Sequence, residues 1–292
     1  MTNFDTIIIG AGFSGLYQLH RCRDDLNLKT LVIEEGSDLG GTWYWNTYPG
    51  ARCDSESHTY GYTFSENIYK NWTWNEKYPK QSTILKYLNY VEKKLNLRKN
   101  ILFNHKIISA KYLERKNLWQ IKTNKKKVLF CKYLICAVGS LSAANIPKIK
   151  GLNTYKGKYY HTGKWPKKKV NLKNQVVAQI GTGSSGIQVA PEIAKVVKKL
   201  VIFQRTPNYS IPARNKKLTR EFIINFKKDY EKIKKILKKT PGGHTFSFPN
   251  RSVFDFNNKE RNKIFEKAWS KGSLAFRACF SDITKNIKAN ET

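Results

Sequence analysis

The run Phe4-Asp-Thr-Ile-Ile-Ile9 is short, apolar and β-branched and predicts a strand. Behind a glycine-rich turn, Leu16 and Leu19 recur at helical spacing, and a second apolar run, Lys29-Thr-Leu-Val-Ile33, ends at Glu34. Strand, helix and strand in that order make a βαβ unit. Residues 40–66, dense in glycine, aromatic and polar side chains (Trp43, Tyr44, Trp45, Tyr48, Pro49, Gly50), are too irregular for one element and read as a large binding loop. Residues 81–96 predict a helix, with Ser82 as N-cap and Ile84, Leu85, Leu88 and Val91 on its apolar face. Strand patterns follow at 101–112, 118–122 and 127–138, separated by lysine-rich turns and closed by Gly139.

Pro147, Gly151, Gly157, Gly163 and Pro166 make residues 140–174 a turn-rich connector. A second βαβ unit begins at Gln175–Ile180, with a helix through Lys199 and a strand at Leu200–Phe203. Beyond residue 216 the pattern is lysine-rich and amphipathic. Helices are expected at 219–238 and 258–270, separated by Pro241-Gly242-Gly243. The expected fold is therefore α/β, with two Rossmann-like dinucleotide-binding domains at 1–140 and 175–292, the second incomplete and carrying a helical insertion, and a linker at 141–174.

The turn of the first unit reads Gly10-Ala11-Gly12-Phe13-Ser14-Gly15. Gly10 permits the tight turn, Gly12 lets backbone approach a pyrophosphate, and Gly15 permits close packing of helix on strand, with the phosphates at the helix N-terminus. Glu34 stands at the end of the next strand, where a carboxylate can accept from both ribose hydroxyls. The second unit repeats the pattern as Gly181-Thr182-Gly183-Ser184-Ser185-Gly186, but its next strand ends in Gln204-Arg205-Thr206. An acid there would repel a ribose 2′-phosphate, whereas Arg205 pairs with it, so this site reads as NADP rather than NAD. Two such sites in one chain point to a flavoprotein that takes hydride from NADPH.

The net charge of +33 over 292 residues raises a nucleic-acid or anionic-surface reading. The lysines are scattered, with short runs at 125–127, 167–169 and 234–235 rather than one arm or stripe, and no nucleic-acid fold motif is present. A basic nucleic-acid-binding module therefore ranks last, and no nucleic-acid partner is expected. No segment approaches the roughly 20 apolar residues of a bilayer span, and no basic leader precedes Phe4, so a cytoplasmic location without membrane contact is expected. Five cysteines without a C-x-x-C pair read as reduced packing thiols, and the five histidines show no metal-ligand spacing.

The connector segment Tyr155-Lys-Gly157-Lys-Tyr-Tyr-His161-Thr-Gly-Lys-Trp165-Pro166 resembles the fingerprint of Baeyer-Villiger monooxygenases, F-x-G-x-x-x-H-x-x-x-W followed by P or D, with tyrosine for the first phenylalanine. Gly40–Asn46 and Tyr48–Asp54 resemble that family's flavin loop, and Gln204–Pro207 its NADP loop. The resemblance covers essentially the whole chain and is nearest to the phenylacetone and cyclohexanone monooxygenases. It implies FAD contacts from Glu34, Thr42, Trp43, Tyr44, Trp45, Asp54, Tyr60 and Ile107, besides Gly10 to Gly15. It implies that Arg52, Cys53 and Asp54 present backbone to the nicotinamide, and that Thr182, Gly183, Ser184, Ser185, Gly186, Ile187 and Gln188 hold NADP with Arg205 and Thr206. By the same resemblance Asp54 tunes an active-site arginine, and His161 serves as a linker hinge and hydrogen-bonding group rather than attacking substrate.

The implied reaction inserts one oxygen of O2 next to a ketone carbonyl, giving an ester or lactone. The oxyanion-stabilising arginine of such enzymes has no counterpart here, so the chain is expected to be an inactive or poorly active fragment. Its missing C-terminal part is expected from a longer gene product or a separate chain. A heteroatom monooxygenase acting on nitrogen or sulfur shares both glycine motifs. The Trp165-Pro166 ending favours the ketone-oxidising group.

Overall fold

Three isoleucines in a row cannot all face one side of a strand, and in β1 (Phe4–Ile9) both Ile7 and Ile8 are fully buried, so this strand is covered on both faces. In chain order there follow α1 (Phe13–His20), β2 (Thr30–Ile33), the one-turn α2 (Thr42–Trp45), α3 (Glu66–Asn71), α4 (Gln81–Leu95), β3 (Ile101–Leu102), β4 (Ile107–Leu113), β5 (Leu118–Thr123) and β6 (Val128–Cys136). Then come β7 (Val176–Ile180), α5 (Ser184–Ala194), β8 (Lys199–Phe203), α6 (Arg220–Lys228), α7 (Tyr230–Lys239) and α8 (Asn258–Lys271). The structure, a computed structural model, describes residues 4–240 and 242–292. The chain packs as two units: Met1–Ala51, Gln81–Val177 and Ile187–Val201 form one, and Arg52–Lys80, Ala178–Gly186 and Ile202–Thr292 the other.

The first unit is built on a six-stranded sheet of order β3-β2-β1-β6-β5-β4. β3, β2, β1 and β6 are parallel, and β5 and β4 extend the sheet antiparallel. Ile7 sits between Leu31 of β2 and Leu134 of β6, and Ile7, Ile33, Ile121 and Cys131 belong to one buried apolar cluster. Leu16 and Leu19 of α1 and Ile84 and Leu88 of α4 are buried at the helical spacing that predicts those helices. α4 begins at Gln81, so Ser82 lies inside its first turn and is not the N-cap. α1 ends at His20 and runs into a single π-helical turn, Arg21–Asp25.

β6 changes partners along its length. Val128–Cys131 pair with β5 and Cys131–Cys136 with β1, so from Lys132 to Cys136 the edge facing away from β1 has no strand beside it among the described residues. Beside it a groove of about 740 Å³ is lined by Thr6, Cys22, Leu26, Leu28 and Tyr133. Between residues 137 and 175 there is no strand or α-helix, as the glycines and prolines of that stretch predict. β7 and β8 form a separate two-stranded sheet, and α5 stops at Ala194, short of Lys199, which opens β8.

In the second unit the helix expected over 219–238 is two, α6 and α7, jointed at Asp229. Phe222, Phe226 and Tyr230 recur four apart across that joint; Phe226 and Tyr230 both meet Tyr69 of α3. Of the expected break, Pro241 lies outside the described residues, while Gly242 and Gly243 take positive φ. α8 starts at a capping box formed by Asn257 and Glu260, and its Phe265 packs on a cluster of Val253, Cys279, Phe280 and Ile283. No helix among the described residues is long and apolar enough to cross a membrane.

Candidate functional site

The two glycine turns share one steric device. Gly10 leaves β1 with φ +98 and Gly181 leaves β7 with φ +97. A Cβ on Gly15 would lie 1.8 Å from the Gly10 carbonyl oxygen, and one on Gly186 would lie 2.6 Å from that of Gly181. Each third glycine is thus required by the first helical turn folding back on the carbonyl of the first. α1 opens at Gly12 with no side-chain cap, so the positive end of the helix dipole at Phe13 and Ser14 faces the glycine turn without a capping side chain.

Glu34 leaves β2 almost fully buried, 4% exposed, and its carboxylate accepts from the amides of Ala11 and Gly36, each at 2.7 Å. The acid therefore reaches from the second strand into the glycine turn of the first. The following loop is tied to the same turn, because the Gly40 amide donates to Ala11 O at 3.0 Å and a Cβ on Gly41 would stand 2.9 Å from the Gly12 Cα. This backbone-to-backbone approach joins two motifs that are separate in sequence. In α2, Trp43 is buried, Thr42 starts the turn, and the rings of Tyr44 and Trp45 meet edge to face at 4.9 Å. The Gln81 amide nitrogen donates to Trp43 O, anchoring α2 to α4. Ile107 is half-buried at the start of β4.

In the second unit Arg52 lies 3.8 Å from Glu76, and the Cys53 amide donates to Pro79 O at 3.0 Å. Burial pushes the Cys53 thiol up to about 12, so it stays protonated and inert. Asp54 is exposed and lines, with Glu56, Thr59, Tyr78 and His244, a cavity of about 10 Å³, room for one water molecule. Tyr60 closes the 3-10 turn Ser57–Thr59. His58, in that turn, meets the edges of Phe222 and Phe226 at 5.3 and 5.2 Å, and burial lowers its pKa.

The second glycine turn is fastened by Gln179, whose side-chain amide donates to Gly181 O at 3.0 Å and Gly186 O at 3.1 Å. Gln204 and Asn208 donate to the Thr182 hydroxyl at 2.6 and 3.2 Å. Arg205 and Thr206 follow β8 on the exposed surface, beyond these contacts. Gly183, Ser184 and Ser185 pass into α5, which carries Ile187 exposed and Gln188 half-buried. In the linker, His161 caps the short turn Thr162–Lys164, its Nδ1 accepting from the Gly163 amide at 3.1 Å. A neutral ring then carries its proton on Nε2, leaving that nitrogen as a donor. Tyr160 and Trp165 bracket the histidine with ring centroids 5.5 Å apart.

In the sequence Lys167 stands only as the first of a short lysine run, 167–169. In the structure its ammonium donates to Tyr44 O and stands 4.1 Å from the Tyr44 ring centroid and 5.6 Å from that of Trp45. Only its place directly after Trp165-Pro166 hints at this in the sequence.

Comparison with known proteins accords with this geometry. The chain is 37% identical over 291 residues to a Baeyer-Villiger monooxygenase of Pseudooceanicola batsensis, covering 99% of this chain and 53% of that protein. It is 36% identical to the phenazine N-monooxygenase PhzNO1 of Lysobacter antibioticus, covering 99% of this chain and 54% of the relative. Among solved structures, cyclohexanone monooxygenase from Rhodococcus bound to NADP+ superposes with a TM-score of 0.95 at 40% identity, covering 99% of this chain and 55% of that one. The chain thus spans about half the length of the relatives it matches. The family model for flavin-binding monooxygenase-like proteins matches residues 5–242, and the chain belongs to that family.

Proposed function

We propose that this chain is the dinucleotide-binding half of a Baeyer-Villiger-type monooxygenase, with FAD on the Gly10–Gly15 motif and NADPH on the Gly181–Gly186 motif. The observation that carries the reading is the repeated glycine turn, each third glycine packed on the carbonyl of the first, with Glu34 hydrogen-bonded into the first turn and the cation Arg205, where the first unit has an acid, following the next strand of the second. The residues fit these groups. α1 opens without a side-chain cap, and the Gly12–Gly41 approach leaves a backbone wall that a Cβ would fill. Thr42 to Trp45, Asp54, Tyr60 and Ile107 extend the flavin contacts, and Thr182 to Gln188 with Thr206 extend those to NADP. The Rhodococcus relative binds NADP+, and the family is flavin-binding.

Bound FAD and NADPH supply the redox and oxygen-activating chemistry. The chain's own residues do the rest. Amides of the α1 turn hold the pyrophosphate, Glu34 accepts from ribose hydroxyls, and Arg205 pairs with the 2′-phosphate. Asp54 tunes the position and charge of an active-site arginine, and His161 couples the linker to cofactor movement through its Nε2 donor. The substrates are a ketone and O2, and the product is an ester or lactone. The oxyanion-stabilising arginine and the rest of the substrate pocket come from chain corresponding to the other half of the relatives. Five free thiols, four of them buried, suit a cytoplasmic setting.

The test is a titration followed by reconstitution. FAD should bind with quenched flavin fluorescence, and NADP+ should bind at least about tenfold tighter than NAD+, a preference Arg205→Ala removes. Glu34→Ala should weaken FAD and leave NADP+ unchanged. Supplied with the remaining half of a relative, the chain should oxidise NADPH in a ketone-dependent way and release an ester. Absence of FAD binding, or equal affinity for NAD+ and NADP+, sinks the reading. The likeness to phenazine N-monooxygenase makes a heteroaromatic nitrogen the second substrate to assay; N-oxide without ester would favour that branch.

A further inference from the structure

Tyr48-Pro49-Gly50-Ala51 is a tight turn closed by the Ala51 amide donating to Tyr48 O at 3.1 Å. Proline in the second position and φ +82 at Gly50 in the third are what a type II turn requires. The turn is pressed on α5. The Tyr48 hydroxyl donates to Gln188 Oε1 at 3.0 Å, across 140 residues of sequence. A Cβ on Gly50 would lie 2.2 Å from the Gln188 carbonyl oxygen and 3.0 Å from Glu192 Cγ, so backbone meets backbone where only glycine fits. α5 is the helix whose first turn carries Ser184, Ser185 and Gly186 of the second glycine motif.

We propose that Tyr48 and Gly50 are positioning residues: they form a seam that pins α5 to the flavin loop and holds its N-terminal turn ready for NADPH. The inference rests on the assignment of FAD and NADPH above. Neither residue belongs to a glycine motif or carries chemistry of its own. Their role is geometric, because hydride delivery depends on sub-ångström placement of donor and acceptor.

The experiment has two readouts. Hydrogen exchange on the cofactor-free chain reads the seam alone: Tyr48→Phe should speed exchange at the α5 amides around Gln188–Glu192, and Gly50→Ala should do so more strongly, with the amides of α1 unchanged. NADP+ and FAD titrations read its consequence. Tyr48→Phe should raise the NADP+ Kd about fivefold, the worth of one neutral hydrogen bond, while the FAD Kd stays within about twofold. In a double-mutant cycle with Gln188→Leu, read on α5 exchange in the cofactor-free chain, the two effects should be non-additive, since each variant removes the Tyr48–Gln188 bond. Unchanged α5 exchange in Tyr48→Phe overturns the seam, as does an equal loss of FAD and NADP+ affinity with a lowered Tm, which marks general destabilisation. If the parent chain binds neither nucleotide, the functional reading fails while the exchange data still decide the seam. Should Gly50→Ala not fold, Tyr48→Phe carries the test, because it removes a hydroxyl and alters no backbone.

Discussion

A single methyl group probes the two glycine turns at the residue scale. Gly15→Ala places a Cβ 1.8 Å from a backbone oxygen and Gly186→Ala one at 2.6 Å, and neither neighbour is a side chain that can swing away. Overpacking of this kind costs about 1–3 kcal/mol, and Gly15→Ala should lie at the upper end and exceed Gly186→Ala in urea denaturation. The reverse order would show that something other than the close approach sets the cost. His58 supplies the pH dependence. Burial holds its pKa below the ordinary histidine value, with Glu56 at 3.4 Å opposing and Lys77 assisting. Its unfolded form therefore binds a proton more readily than its folded form. Stability should be full above about pH 6.5 and should fall as pH drops from there toward the folded value, by at most about 1.4 kcal/mol per pH unit from this residue. His244 shifts the same way, by burial and then by Arg277, and adds to the slope. In His58→Gln the Tm between pH 7.5 and 5.5 should flatten; an unchanged slope would place the effect elsewhere.

At the scale of elements, α2 shows how little a single turn supports by itself. Four residues make one helical turn, too short to persist on propensity, so it is held from outside by Gln81 and by Lys167. Lys167 meets a carbonyl in the last turn of α2, the end where a cation is favoured, and covers two aromatic faces. Lys167→Met should cost about 1 kcal/mol and loosen α2 in hydrogen exchange, whereas Lys167→Arg should retain most of both. Equal behaviour of the two variants would show that the cation is idle. The same scale explains the split between α6 and α7. Phe222, Phe226 and Tyr230 keep one face in register across Asp229, so periodicity reads one helix, but the backbone leaves helical geometry at that residue with ψ +18.

At the scale of the whole molecule, the unpaired edge of β6 at Lys132–Cys136 and the isolated pair β7 and β8 leave Tyr133, Val176, Ile180 and Phe203 each more than half exposed. A two-stranded sheet is marginal in water, and bare edges invite association. The chain by itself should bind a hydrophobic dye such as ANS, unfold broadly and retain FAD weakly. A polypeptide corresponding to the other half of the relatives should suppress the dye signal and sharpen the transition. A cooperative transition without dye binding in the chain alone would contradict this. Much was legible in the sequence: both strand–glycine–helix units, the opposite charges of Glu34 and Arg205, the helix over 81–95 and the structureless linker. These features depend on residues a few positions apart, where steric rules and periodicity act directly. The insertion of β6 between β1 and β5, the Gly12–Gly41 approach, Lys167 on Tyr44 and Gly50 on α5 were not legible. Each joins segments tens of residues apart or more, and no local period encodes which distant backbone will come close enough to require a glycine or seat a cation. The sequence by itself determined the two strand–glycine–helix turns and the opposite charges that follow their next strands; only the tertiary structure decided what those turns rest on, because packing between distant segments is settled by the folded chain as a whole.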